Sequence, residues 1–110
     1  MKNIVVFVQA RMGSNRLPGK VLKKVNGKEL LLHQVERIKK AKTINNVVVI
    51  TTINNEDDAI FNLCKKYSID CYRGSELDLL DRHYQAAILY KADFVVKIGS
   101  DSPLTDSNII

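Results

Sequence analysis

The sequence has only two cysteines and few aromatic residues, with no tryptophan. Two cysteines do not make a disulfide framework, so we expect Cys64 and Cys71 to be small buried or half-buried side chains rather than metal ligands or nucleophiles. Aromatic residues form 6% of the chain and none alternates with the basic residues. The net charge of +5 therefore does not indicate a nucleic-acid partner. We expect the lysines to lie on loops and polar helix faces.

Long apolar runs are also absent. No stretch approaches the length of a membrane span, and the run Ile4 to Val8 is too short for the core of a signal peptide. Apolar residues make up 45% of the 110 residues and charged residues 26%, which is typical of one ordinary globular domain. We expect a cytoplasmic protein with no membrane partner.

Two common phosphate-binding motifs are missing. A Walker A loop has four residues between its first glycine and a Gly-Lys pair that Ser or Thr follows. Here five residues separate Gly13 from Gly19, and Val21 follows Lys20. The Gly-x-Gly-x-x-Gly fingerprint of dinucleotide-binding folds is absent as well.

A different anion-binding pattern follows the first apolar run. The loop after Val8 combines two glycines with three cations, Arg11, Arg16 and Lys20. Glycines let the backbone turn and approach a ligand closely, and backbone N–H groups in such a loop form a concavity for phosphate oxygens. The cations supply the countercharge. The loop therefore predicts a nucleoside triphosphate site.

Alternating strands and helices predict an α/β fold with a parallel sheet. We expect strands at residues 4–8, 47–52, 69–73 and 94–98, and helices at residues 29–41, 56–67 and 78–90. The apolar stripe of the second helix is Ile60, Leu63, Cys64 and Tyr67, and the third helix uses Leu80, Tyr84, Ala87 and Ile88. The loop of Arg11, the pair Thr51-Thr52, the pair Gly74-Ser75 and Asp101 all follow strand ends, so we expect them at one edge of the sheet.

These segments together resemble the cytidylyltransferase family, in particular the spore coat polysaccharide biosynthesis protein F group, relatives of 3-deoxy-manno-octulosonate cytidylyltransferase. The resemblance runs in order through the following segments: Gln9 to Leu22, Val47 to Thr52, Asp57-Asp58, Tyr72 to Glu76 and Gly99 to Leu104. It implies a Rossmann-like sheet with flanking helices, of the nucleotide-diphospho-sugar transferase (GT-A-like) kind. The family's proteins are longer, so residues 1–110 would be the nucleotide-binding N-terminal part of such a domain.

The resemblance also implies roles for individual residues. Arg11 and Lys20 would be catalytic, by stabilising the departing pyrophosphate. The nucleotide would be bound by Gln9, Ala10, Arg11, Gly13, Ser14, Arg16, Lys20, Gly74 and Ser75. Asp101 would bind Mg²⁺, although Ser102 stands where relatives usually have Cys or Glu. A single carboxylate binds Mg²⁺ weakly, so the nucleotide phosphates would share the ion.

Other polar residues have simpler interpretations. We expect Asp57-Asp58 to begin the second helix, where negative charge suits the helix dipole. Arg82 is expected near Gly74-Ser75, most simply as a helix-surface partner of Asp78 or Asp81. His33 is expected to face solvent, and neither His33 nor His83 is assigned a catalytic role. Thr51 and Thr52 are candidates for the lining of the nucleotide pocket.

The function that these patterns predict is transfer of CMP from CTP to a sugar acid, with release of pyrophosphate, in polysaccharide biosynthesis. Two alternatives stay open: a glycosyltransferase that uses a nucleotide-sugar donor, and a catalytically inactive nucleotide-binding fragment. The helix cap at Thr105 to Ser107 is followed by only three residues, which suggests a truncated domain. We therefore expect the chain to self-associate as a homo-oligomer or to be loosely ordered near Ile110.

Overall fold

A computed structural model of the protein describes residues 3–13, 20–75 and 79–99, and the elements below are those of these residues. In chain order they are β1 (Ile4–Gln9), β2 (Lys24–Val25), β3 (Lys28–Glu29), α1 (Leu30–Lys39), β4 (Asn46–Thr52), α2 (Asp58–Lys66), β5 (Asp70–Gly74), α3 (Leu79–Leu89) and β6 (Phe94–Gly99). Short 3-10 helices, Lys20–Leu22 and Asn55–Asp57, precede β2 and α2.

Four of the strands form a parallel sheet in the order β5-β4-β1-β6. From β1 the chain moves outward through β4 to β5, and it then returns to place β6 on the other side of β1. The order reverses between β1 and β6, and ligands of open α/β sheets bind at such a point, beyond the carboxyl ends of the strands. The predicted parallel sheet with flanking helices is confirmed.

Helices cover both faces of the sheet. Residues of α1 and α2, among them Val35, Ile38 and Ile60, pack on one face against Val6 and Val8. On the other face Ala86 of α3 joins Phe7 of β1 and Ile50 of β4. The alternation of side chains along each strand explains why neighbouring valines belong to different layers.

The buried face of α3 differs from the sequence prediction. The apolar spacing predicts that Leu80, Tyr84 and Ile88 pack against the sheet, but all three are exposed, Leu80 by 75%. The helix instead buries Arg82 and His83, together with Ala86. Of the predicted stripe, Ala87 does pack beside this layer. The prediction is wrong because hydropathy cannot identify a buried arginine.

A small hairpin precedes α1. Strands β2 and β3 are antiparallel, and Asn26 and Gly27 between them have φ angles of 55° and 78°. Positive φ at both central residues defines the turn that suits the twist of a two-residue hairpin. His33 of α1 is half-buried against this hairpin, where its Nε2 lies 2.7 Å from the carbonyl oxygen of Val25. The expectation that His33 faces solvent is confirmed only in part, because the ring also contacts this hairpin.

The buried face of α2 agrees with the sequence prediction except at its end. Ile60, Leu63 and Cys64 are buried as predicted, whereas Tyr67 lies just beyond the helix and is 43% exposed.

Among residues 3–13, 20–75 and 79–99, no helix has the length and apolar character that crossing a bilayer requires.

Candidate functional site

The segments that follow β1, β4 and β5 meet at one edge of the sheet. Gln9 lies opposite Ile50 of β4 and opposite Gly99 of β6, and Thr52 lies opposite Gly74. Two further hydrogen bonds extend the pairing, from Ala10 N–H to the carbonyl of Ile50 (2.9 Å) and from Ile53 N–H to that of Gly74 (3.1 Å). The predicted convergence is confirmed for these three strand ends. Asp101 lies outside the described residues.

The loop after β1 begins at this edge. Ala10 is buried in the core, whereas Gln9 and Arg11 are half-buried. At the far end of the loop, Val21 of the 3-10 helix is again buried in the core. The sheet and core thus fix both ends of the predicted anion-binding loop. Among the other residues of the loop that are predicted to bind the nucleotide, Ser14, Arg16 and the side chain of Lys20 lie outside the described part of the structure.

Gly13 has a specific neighbour in this loop. Its φ lies outside the left-handed region, so a positive φ does not require glycine there. A Cβ at Gly13 would instead lie 2.8 Å from Oε1 of Glu56. The backbone after Met12 therefore runs against the turn that precedes α2.

The carboxylate of Asp57 joins that turn to the loop. Its Oδ1 accepts the backbone N–H of Met12 at 2.8 Å, and its Oδ2 accepts the hydroxyl of Thr52 in a short hydrogen bond. The hydroxyl of Thr52 also accepts the N–H of Asn54 at 3.1 Å. Asp57 does precede α2, as predicted, but these contacts with two other segments depend on the tertiary fold.

Arg73 holds the same turn from β5. Its Nε donates to the carbonyl of Thr52 (2.7 Å) and its Nη2 to that of Asn54 (2.9 Å). Its Nη1 lies 2.8 Å from Oδ1 of Asp58, and the guanidinium lies over the ring of Phe61. Arg73 had no predicted role, and the planar fork of its guanidinium makes it suited to such multiple contacts.

Gly74 and Ser75 lie under α3. A Cβ at Gly74 would come within 2.8 Å of Cγ of Arg82 and within 3.2 Å of the Tyr72 ring. Arg82 donates from Nη1 to the carbonyl oxygen of Ser75. The expectation that Arg82 lies near Gly74-Ser75 is confirmed, but its assignment to the helix surface is wrong, because only 1% of the residue is exposed.

The remaining candidates are buried beside these contacts. Thr51 and Thr52 are both inaccessible to solvent, and Thr51 Oγ1 has no hydrogen-bond partner among the described residues. His83 is buried with its ring centroid 5.8 Å from that of Phe7. His83 thus belongs to the packing of α3 on the sheet.

The two cysteines, Cys64 of α2 and Cys71 of β5, belong to the same core layer, and neither forms a disulfide. The neighbouring Cys71 thiol and burial raise the pKa of Cys64. The neighbouring Cys64 thiol lowers the pKa of Cys71. Cys64 is buried and Cys71 half-buried, as predicted from the sequence.

Metal binding finds little support in this part of the chain. Residues 3–13, 20–75 and 79–99 contain no cluster of three or more His, Cys, Asp or Glu side chains suited to a metal ion. Asp57 directs both carboxylate oxygens to Met12 and Thr52. The loop with Arg11 begins at the same edge of the sheet as the Gly74-Ser75 segment.

Comparison with known proteins identifies relatives over the whole length of the chain. The uncharacterized protein MJ1063 of Methanocaldococcus jannaschii is 44% identical over 97% of this chain. SpsF, a spore coat polysaccharide biosynthesis protein of Bacillus subtilis, is 33% identical over 100% of it. The 3-deoxy-manno-octulosonate cytidylyltransferase 2 of Hydrogenovibrio crunogenus is 37% identical over 96%. The chain spans 44%, 48% and 43% of the lengths of these three proteins.

Solved structures agree with these relatives. A cytidylyltransferase from Leptospira borgpetersenii superposes with a TM-score of 0.92 and 40% identity, over 99% of this chain and 46% of its own. A CMP:2-keto-3-deoxy-manno-octonic acid synthetase complexed with CTP has the same fold, with a TM-score of 0.80 and 24% identity over 98% of this chain and 44% of its own. A family profile for cytidylyltransferases matches residues 5–110. The chain belongs to the cytidylyltransferase family.

Proposed function

We propose that the protein transfers CMP from CTP to a sugar acid and releases pyrophosphate, as a step of polysaccharide biosynthesis. The observation that carries this proposal is the position of the loop after β1. It leaves the sheet where the strand order reverses, beside the ends of β4 and β5. Ligands of open α/β sheets bind at this position, and the loop carries the cations that a triphosphate needs.

The relatives support the choice of substrates. One is named a 3-deoxy-manno-octulosonate cytidylyltransferase, and another a spore coat polysaccharide biosynthesis protein. A structure with the same fold is complexed with CTP. CTP and a sugar acid are therefore the substrates that we propose for this protein, with a CMP-activated sugar as the product.

The proposed reaction is displacement at phosphorus. A hydroxyl oxygen of the sugar acid forms a bond to the α-phosphorus of CTP, the bond from that phosphorus to the bridging oxygen breaks, and the hydroxyl proton is lost. Pyrophosphate leaves with the electron pair. Such a reaction depends on positioning and on neutralising charge.

Residue roles follow from that requirement. In our proposal Arg11, Arg16 and Lys20 hold the outer phosphates and stabilise the departing pyrophosphate. The backbone and side chains of Gln9, Ala10, Gly13 and Ser14 complete the phosphate site. Gly74 and Ser75 face the base or ribose.

We also propose Mg²⁺ as the cofactor. In our proposal its protein ligand is Asp101, as the resemblance implies, and the phosphates supply the other oxygens. When bound, the ion would neutralise charge at the phosphates. We place the reaction in the cytoplasm and expect no nucleic-acid or membrane partner, with self-association as a further expectation.

Exchange of one lysine tests the assignment of the phosphate site. Lys20→Ala should weaken CTP binding by roughly ten- to hundredfold and CMP binding much less, because a charge-assisted contact to the outer phosphates is lost. Lys24→Ala is the matched control, since Lys24 is an exposed cation of the nearby hairpin. Calorimetric titration in the presence of Mg²⁺ measures both ligands. Equal losses for CTP and CMP would contradict the role of Lys20, and a wild type that does not bind CTP would overturn the proposed function.

A further inference from the structure

Asp57 is a buried carboxylate beside the proposed phosphate site, with only 1% of the residue exposed. Burying a carboxylate is unfavourable unless its oxygens accept hydrogen bonds. Here both oxygens do so, one from the backbone of Met12 and one from Thr52. One side chain therefore connects the start of the anion-binding loop to the end of β4.

This arrangement is not that of an ordinary helix cap. A capping aspartate accepts N–H groups from the first turn of its own helix. Asp57 occupies the cap position of α2, but its side chain makes no hydrogen bond of that kind. Both of its oxygens accept from groups outside the helix, so its side chain serves the neighbouring loop.

Several hydrogen bonds hold the turn that carries Asp57. Arg73 binds the carbonyl groups of Thr52 and Asn54, and the N–H of Asp57 donates to the carbonyl of Asn54 at 3.0 Å. The carboxylate therefore has a fixed position relative to the sheet. Because it holds the N–H of Met12, it transmits that position to the loop, and Gly13 then passes close to Glu56.

We propose that Asp57 is a positioning residue for nucleotide binding, which sets the path of Arg11, Met12 and Gly13 toward the phosphates of CTP. The inference rests on the proposed function. Carboxylate and phosphate are both anions, so Asp57 acts through the backbone of Met12 rather than on the ligand. Thr52 supports it by holding the second carboxylate oxygen.

Three variants separate positioning from general stability. Asp57→Ala removes the acceptor of the Met12 N–H. Asp57→Asn keeps a carbonyl oxygen for Met12 and an amide that can donate to Thr52 Oγ1, so it should restore the geometry. Asp70→Ala is the control, because this exposed carboxylate accepts a hydrogen bond from Asn46 at the opposite end of β5 from Gly74.

Two measurements on these proteins test the inference. In the wild type without ligand, the amide of Met12 should be protected from hydrogen exchange, and Asp57→Ala should lose this protection while Asp57→Asn keeps it. In calorimetry, Asp57→Ala should weaken CTP binding by roughly ten- to hundredfold with a smaller effect on CMP. Asp57→Asn and Asp70→Ala should stay within about threefold of the wild type, less than the effect of losing a hydrogen bond to a charged group.

The outcomes can be told apart. If the wild type prefers CTP over CMP and Asp57→Ala keeps that preference, the positioning role is wrong while the proposed function stands. If the wild type fails to bind CTP, both fall. Should Asp57→Ala fail to fold, Thr52→Val replaces it, since this variant keeps the carboxylate and removes the hydroxyl that holds Oδ2 and accepts the N–H of Asn54. An unchanged preference for CTP in Thr52→Val would then overturn the inference.

Discussion

The guanidinium group of Arg82 donates a hydrogen bond from Nη1 to the carbonyl oxygen of Ser75, so that a charged side chain of α3 holds the backbone that follows β5. Arg82 is among the largest fully buried side chains of the described residues. Its stem passes over Gly74, where a side chain would collide with it. The contact joins the helix layer to the proposed base or ribose end of the site.

Removing this guanidinium should destabilise the fold. Arg82→Met keeps the length of the side chain but loses its donors, and a hydrogen bond from a charged group contributes about 1.5–3 kcal/mol. We expect the free energy of unfolding to fall by about that amount in urea denaturation. Leu80→Met on the exposed face of the same helix should change it by less than about 0.5 kcal/mol. Equal effects of the two substitutions would contradict the observed orientation of α3.

A side chain at Gly74 should also be costly. Because a Cβ would lie 2.8 Å from Arg82 Cγ, Gly74→Ala forces α3 or the strand to shift, and overpacking of this kind costs about 1–3 kcal/mol. Gly27→Ala is the comparison, since Gly27 has φ of +78° and nothing within 4 Å of its Cβ position. Its cost of about 1–2 kcal/mol comes from the backbone alone.

A double-mutant cycle distinguishes these two causes. Arg82→Ala removes Cγ, so it should relieve part of the cost of Gly74→Ala and leave the cost of Gly27→Ala unchanged. Chemical denaturation of the single and double variants provides the four free energies of each cycle. Additive effects at positions 74 and 82 would show that the steric argument is wrong.

Some elements of this fold can be predicted from local sequence patterns, whereas others depend on contacts between distant segments. The strands around Phe7 and Val48 are continuous apolar runs, and such runs identify buried parallel strands wherever they pack. The face of α3 was predicted wrongly, because its apolar stripe and its buried face both have helical spacing. Hydropathy favours Leu80, whereas it is Arg82 that is buried, with a hydrogen bond to the carbonyl of Ser75.

The candidate site shows the same limit. The loop after β1 could be identified because glycines and cations are local features of the sequence. The hydrogen bond between Asp57 and Met12 joins residues 45 positions apart, and that between Arg73 and Asn54 joins residues 19 positions apart. No local sequence pattern predicts such contacts. The hairpin is different, since Asn26-Gly27 is a recognisable turn signal that the sequence prediction overlooked.

The contact of the hairpin with α1 should depend on pH. A hydrogen bond from Lys28 Nζ, at 2.7 Å, lowers the pKa of Glu36, and the charges of Lys28, His33 and Lys40 act in the same direction. A carboxylate whose pKa is lowered by folding stabilises the protein above its ordinary pKa, and the contribution is lost as the pH falls through the lowered value. A titration of the Glu36 carboxyl followed by NMR should therefore show a midpoint below that of an ordinary glutamate.

Two controls make the origin of this shift clear. Lys28→Met should return the pKa of Glu36 toward its ordinary range, because it removes the ammonium group that donates to the carboxylate. Lys24→Met, in the paired strand of the same hairpin, should leave the titration unchanged. If Glu36 titrates normally in the wild type, the ion pair does not persist in solution.

The two thiols should differ in reactivity. The thiolate is the reactive form of cysteine, and the neighbouring Cys71 thiol and burial raise the pKa of Cys64, whereas the neighbouring Cys64 thiol lowers the pKa of Cys71. We expect iodoacetamide at neutral pH to label the half-buried Cys71 faster than Cys64 in the native protein, as measured by mass spectrometry of the peptides. In urea the two rates should become similar. Cys64→Ala removes the neighbouring thiol and should slow the labelling of Cys71. Faster labelling of Cys64 in the native protein would contradict this order of the two pKa values.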